Sequence, residues 1–201
     1  MDDTFKTLAK PSPEILHKDR KSKFYSYAFP VSTEEEVKPS LETLRKKHPS
    51  ANHVCYAWQI GVESIHYRAN DDGEPNNSAG MPIYGQIQSF EVTNVLVAVV
   101  RIFGGVKLGV GGLIQAYREA ARLALDASII VQKTQYSKML LFFEYPSMNK
   151  VMRILKQHQI DILSQKTEIS CELEIAVQKS RLDDIFQLFQ ETQQVTVKKI
   201  P

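Results

Sequence analysis

The sequence predicts an α+β protein built as two domains, and three observations carry that reading. All nine glycines lie between Gly61 and Gly112, and none follows. The run VTNVLVAVVRIF from Val92 is almost uninterruptedly apolar, as a strand buried on both faces must be. Beyond Tyr136, segments with strand and helix patterns follow in the order β-α-β-β-α-β, the split βαβ of ferredoxin-like domains.

The elements of the first domain read in order. SKFYSYAFPV from Ser22 is an aromatic-rich strand. Ser32 and Glu35 have capping-box spacing, and Val37, Leu41 and Leu44 then share one helix face. Pro39 falls inside that helix and should kink it or delay its start. HVCYAWQI and SIHYR read as two strands around a turn at Gly61. After the loop NDDGEPNNSAG a short helix is expected from Ser78 across MPIYGQIQ, then the apolar strand. The helix LIQAYREAARLALDA closes the domain, with Leu113, Tyr117, Ala120 and Ala124 on its apolar face and Gln115, Arg118, Glu119 and Arg122 on its polar one.

In the second domain KMLLFFEY is a strand and PSMNKVMRILKQHQ a helix opened by Pro146. DILSQK and TEISCELEIAVQ are strands, the latter alternating Ile169, Cys171, Leu173, Ile175 and Val177 on one face. SRLDDIFQLFQET is a helix and QVTVKKI the last strand. The polar bridge VQKTQYSK breaks the apolar pattern, so the expected domains are 1–130 and 138–201, joined by a linker over 131–137.

Composition bounds the function. The chain of 201 residues is 43% hydrophobic and 24% charged, an ordinary soluble make-up. No apolar run approaches the roughly 20 residues that span a membrane, and none at the N-terminus resembles a signal peptide. Two distant cysteines, Cys55 and Cys171, give no disulfide framework and suit a reducing cytoplasm. A formal charge of +2 says nothing about nucleic acid by itself.

The densest chemistry is RIFGGVKLGVGGLIQAY from Arg101, with five glycines in nine residues at a strand-to-helix junction. Bare backbone N–H groups, a helix N-terminus and Lys107 together make a ready anion site, with Arg101, Gly104, Gly105, Gly109, Gly111 and Gly112 as candidate phosphate-binding residues. Neither standard nucleotide fingerprint is present: Val110 stands where a Walker A lysine is required, and Ile114 where a dinucleotide loop needs its third glycine. The alternative is a tight turn that lets the helix lie close to the sheet.

Asp71, Asp72 and Glu74 offer three carboxylates within four residues, the composition of a magnesium cluster if phosphate oxygens complete the shell. A solvated Asp-Gly turn, or an internal pairing with Arg101 or Lys107, fits the same residues. His53 and Cys55 share one strand face, as a metal pair, a nucleophile pair or plain packing would have them. Lys18, Arg20, Lys21 and Lys23 precede Phe24 and Tyr25, a pattern that suits either nucleic-acid contact through Lys21 and Lys23 or a solvated strand end. Trp58 fits the core or a stacking platform.

Together RKSKF, H-x-C-x-A at His53, DDGEP at Asp71, SAG-x-P at Ser78 and R-x-F-GG-x-K-LG-x-GGL-x-x-AY from Arg101 resemble the YigZ/IMPACT family over residues 20–128. Ile102 replaces an aromatic usual there, and Ser78 a usual threonine. The resemblance implies a first domain with the β/α fold of a small-subunit ribosomal protein and the GHMP kinases. It implies a C-terminal ferredoxin-like module similar to the last domain of elongation factor G. It further implies a cytoplasmic protein bound to RNA or the ribosome, with a translation-related protein partner and a role in translation or stress control. The competing expectation is a metal-assisted enzyme acting on a phosphorylated small molecule or nucleotide between the DDGEP and glycine-rich loops.

Overall fold

The computed structural model describes residues 3–168 and 170–200. The chain divides into two compact units, Phe5–Lys133 and a second running from Thr134 to the C-terminal end together with the first residues of the chain.

The first unit is built on a five-stranded antiparallel sheet ordered β2-β3-β6-β4-β5. Its strands are β2 (Ile15–Asp19), β3 (Ser22–Pro30), β4 (His53–Ile60), β5 (His66–Asn70) and β6 (Val95–Ile102). Central β6 explains the apolar run. Its Val95, Val97 and Val99 pack toward α2 (Gly80–Ser89) and α3 (Gly109–Asp126), while Leu96, Ala98 and Val100 pack toward α1 (Val37–Lys47). Trp58 lies in the α1-side core, so it is no stacking platform.

A two-stranded sheet pairs β1 (Thr4–Leu8) with β7 (Ile130–Thr134). Sequence reasoning missed β1 and β2. Both are five-residue strands, and β2 carries the polar residues His17, Lys18 and Asp19. The segment expected as a linker is mostly strand, because residues 131–134 complete β7 and Tyr136 opens β8 (Tyr136–Glu144).

Helix starts also differ from expectation. The capping box does not form: a 3-10 turn over Glu34–Glu36 leads into α1, and the Glu36 carboxylate accepts from the Ser32 N–H at 2.8 Å. Pro39 falls in the first turn of α1, where its missing N–H costs nothing. Ser78 is no helix cap, since its hydroxyl donates to the Pro75 carbonyl at 2.6 Å and α2 begins at Gly80.

The second unit places β8, α4 (Met148–Gln157), β9 (Asp161–Thr167), β10 (Ser170–Gln178), α5 (Leu182–Gln190) and β11 (Val195–Ile200) in chain order. Its antiparallel sheet is ordered β11-β8-β10-β9, which is the ferredoxin-like arrangement. Alternation along β10 buries Cys171, Leu173, Ile175 and Val177 against the two helices; Ile169 of that series lies outside the described residues. Among the described residues no helix is long and apolar enough to cross a membrane.

Candidate functional site

The DDGEP loop folds back over the ends of β4 and β6, and its three carboxylates go to three different places. Asp71 turns toward α2: Oδ1 accepts from the N–H groups of Ala79 and Gly80 at 2.9 and 2.8 Å, and Oδ2 from that of Asn77 at 2.8 Å. It satisfies otherwise orphaned donors at the helix start and sets a negative charge against the positive end of the dipole. Asp72 turns the other way, accepting from the Val54 N–H at 2.6 Å and from Arg45 Nη2 at 2.9 Å. Glu74 points inward.

Glu74 is the centre of a buried network. Its Oε1 accepts from Arg101 Nη1 at 2.6 Å and from the Tyr117 hydroxyl at 2.8 Å, with both partners and Glu74 itself buried. The Arg101 guanidinium lies between rings, 5.6 Å from the Phe24 centroid and 5.5 Å from that of Phe103. Cys55 joins the network through its Sγ–H, 3.3 Å from the Tyr117 oxygen and 3.0 Å from the Asp71 carbonyl. Burial pushes both the Cys55 thiol and the Tyr117 hydroxyl far up from their usual values. Cys55 is therefore a neutral packing thiol at physiological pH, not a thiolate nucleophile.

His53, on the same strand face, hydrogen-bonds through Nδ1 to the Asp72 carbonyl at 2.8 Å. A carbonyl only accepts, so Nδ1 donates to it, and Nε2 lies 3.9 Å from Glu74 Oε1.

These placements show how the donor set fits the magnesium expectation. A magnesium ion needs oxygen ligands converging on one octahedron. Here Asp71, Asp72 and Glu74 are each held by internal donors and diverge. Among the described residues no three His, Cys, Asp or Glu groups gather to hold a metal. The acidic loop does not fit magnesium, and the internal pairing of Glu74 with Arg101 is the arrangement found.

The glycine-rich stretch divides into two parts. Gly109, Gly111 and Gly112 belong to the first turn of α3 rather than to a loop, which leaves Phe103–Leu108 as the connection. Within it Gly104 is required by a close approach: a Cβ there would lie 2.0 Å from the Lys21 carbonyl oxygen. Gly105 and Gly109 take positive φ, at 86° and 72°, where other L residues are strained. Asn52 fixes the start of the connection, donating its N–H to the Arg101 carbonyl at 3.0 Å and accepting from the Phe103 N–H at 2.9 Å.

Between the two loops lies a cleft of about 430 Å³, lined by Glu74 and Pro75 on one side and by Phe103 and Lys107–Val110 on the other, with His53 and Arg101 at its floor. The acidic and glycine-rich stretches thus share one groove. Arg101, a candidate phosphate ligand by sequence, is instead buried and bound to Glu74. Lys107 remains exposed, as do Lys21 and Lys23 on the β2–β3 hairpin.

Sequence reasoning did not assign roles to Tyr117, Asn52 or Phe103. Tyr117 carried a usable signal. A tyrosine on the apolar face of a helix needs a buried hydroxyl partner.

Fold and site define an α+β protein of two units, the first carrying an acid–arginine–tyrosine network beneath a cation-edged cleft. Residues 20–125 match the Impact N-terminal domain. The chain belongs to the IMPACT family. It is 34% identical over 139 residues to the IMPACT family member YvyE of Bacillus subtilis, a match covering 69% of this chain and 64% of that protein, just under two thirds of its length. It is 29% identical over 170 residues to the IMPACT family member YigZ of Escherichia coli, covering 84% of this chain and 83% of that one. A crystal structure described as that of a hypothetical protein superposes with a TM-score of 0.72 at 26% identity, covering 100% of this chain and 99% of the other.

Proposed function

We propose that the protein binds RNA, free or in the ribosome, through a cationic end of its first unit, and that it acts there in the regulation of translation in the cytoplasm. The translational role is what the family resemblance implies. The observation that carries RNA binding is the contact between hairpin and glycine connection. Gly104 lies against the Lys21 carbonyl, and its N–H meets the Ser22 hydroxyl at 3.4 Å. This brings Arg20, Lys21 and Lys23 to the same end as Lys107, all exposed and none paired with a carboxylate among the described residues.

Lys18 lies directly across the hairpin from Lys23. Opposed like charges are destabilising unless an anion neutralises them, and a phosphate backbone supplies such an anion.

Anisotropy titrations of a labelled single-stranded RNA across a salt series test the reading. Lys23→Ala and Lys107→Ala should each weaken binding broadly and lower the salt slope by about one counterion. Wild-type binding that is absent, or unmoved by both changes, overturns it.

A further inference from the structure

The cleft above Arg101 offers more than a charged edge. Its volume of about 430 Å³ lies near the lower end of small-molecule sites, which run to roughly 300–1,000 Å³, and suits one flat group with a polar appendage rather than a helix or duplex. Phe103 and Val110 line it while remaining 43% and 53% exposed, an unusual display for large apolar side chains at one groove.

Two sources of positive charge meet at its walls, beside the Glu74–Arg101 ion pair. The first turn of α3, an 18-residue helix without a side-chain cap at Leu108, presents uncapped N–H groups with the positive end of the dipole. Lys107 adds an exposed ammonium group that pairs with no carboxylate among the described residues. Arg101, only 6% exposed, lines the cleft with Nη1 bound to Glu74 and Nε buried without any acceptor. Burying an unsatisfied guanidinium nitrogen is costly. An anion in the cleft would lower that cost through its field without touching Nε, which solvent does not reach.

We infer that this cleft binds one 5′-phosphorylated nucleoside, its phosphate at the start of α3 and Lys107 and its base against Phe103 and Val110. The same chemistry is carried by a free mononucleotide and by the 5′ end of an RNA. The inference rests on the nucleic-acid reading only for the second source. Stacking on Phe103 tolerates any base, because every base has a π-face.

Calorimetric titration of the full chain with AMP, alongside anisotropy of one short RNA bearing either a 5′-phosphate or a 5′-hydroxyl, tests it. AMP should bind and displace the phosphorylated RNA, and the 5′-hydroxyl form should bind about tenfold more weakly, as loss of a charge-assisted contact predicts. Val110→Asp places a carboxylate in the first turn of α3, where it favours the helix but repels phosphate. It should abolish AMP binding and the 5′ preference with an unchanged or raised Tm. Equal binding of both RNAs with no AMP binding overturns the nucleotide site and leaves the RNA reading standing. AMP binding without RNA binding keeps the site, assigns it to free nucleotide and overturns the RNA reading. Retained AMP affinity in Val110→Asp overturns the location, and absence of all binding overturns both.

Discussion

Glu74 Oε1 lies 2.6 Å from Arg101 Nη1, with the two side chains 4% and 7% exposed. This buried ion pair ties the acidic loop to the last strand of the sheet just before the glycine connection. Its desolvation is offset by the Tyr117 hydroxyl on the same oxygen and by two aromatic rings around the guanidinium.

Removing one partner strands the other charge. Glu74→Ala should therefore cost about 3–5 kcal/mol, as should Arg101→Met. The combined Glu74→Ala, Arg101→Met variant should cost clearly less than the sum, because no unpaired charge remains. Urea denaturation of the three variants measures this, and strict additivity would show that the pair is not coupled.

Two glycines of one motif should respond in opposite ways to alanine. At Gly104 the new Cβ would meet the Lys21 backbone, which cannot swing aside, so Gly104→Ala should lower Tm and displace the β2–β3 hairpin. Gly111 lies in α3 with nothing within 4 Å of an added Cβ, so Gly111→Ala should stabilise by about 0.4–1 kcal/mol. Thermal melts of both variants decide it.

The pH dependence of stability should carry a signature from His48. Its Nε2 lies 2.6 Å from the Tyr27 hydroxyl, which also bonds Glu14, and its ring lies 4.7 Å from that of Tyr25. Burial lowers its pKa from the ordinary 6.5, outweighing the upward pull of Glu14, while Lys47 adds to the lowering. The unfolded chain then takes up the proton first, so the stabilisation is complete above about 6.5 and is lost as pH falls below it toward the folded value. Glu14, itself held below the usual carboxylate range by its bonds to Lys47 and Tyr27, extends the loss at lower pH, below its ordinary 4.5. His48→Gln should flatten the slope just below pH 6.5 without removing the acid-limb loss. An unchanged slope would assign that proton elsewhere.

The pairing of β1 with β7 sets where the first unit can be cut. A fragment spanning 5–133 should melt cooperatively, whereas one ending at Ser128 loses β7 and leaves β1 without a paired strand, held by its bridge from Lys6 to Val92, the Lys6–Glu91 ion pair and the Thr7 hydroxyl's bond to the Asn94 carbonyl. Calorimetry of the two fragments checks this, and equal Tm values would make β7 dispensable.

The sequence by itself determined what depends on neighbours along the chain. Alternation marked β10, the apolar run marked β6, and the order of elements marked the ferredoxin-like unit, because side-chain periods of two and 3.6 are local properties. Turn chemistry was less legible. The helix starts at Val37, Gly80 and Gly109 were misplaced because α2 takes its cap from Asp71, outside the helix, and because three glycines of α3 lack any helical signature. Only the tertiary structure decided what the charged motif residues do. Asp71, Asp72 and Glu74 are chain neighbours, yet they bond α2, the start of β4 together with α1, and the β6–α3 core respectively. Glu74 and Arg101 are 27 positions apart. Composition says that three carboxylates and an arginine are present. Which donor each one reaches is fixed by packing, because a buried charge settles wherever the folded core leaves it a partner.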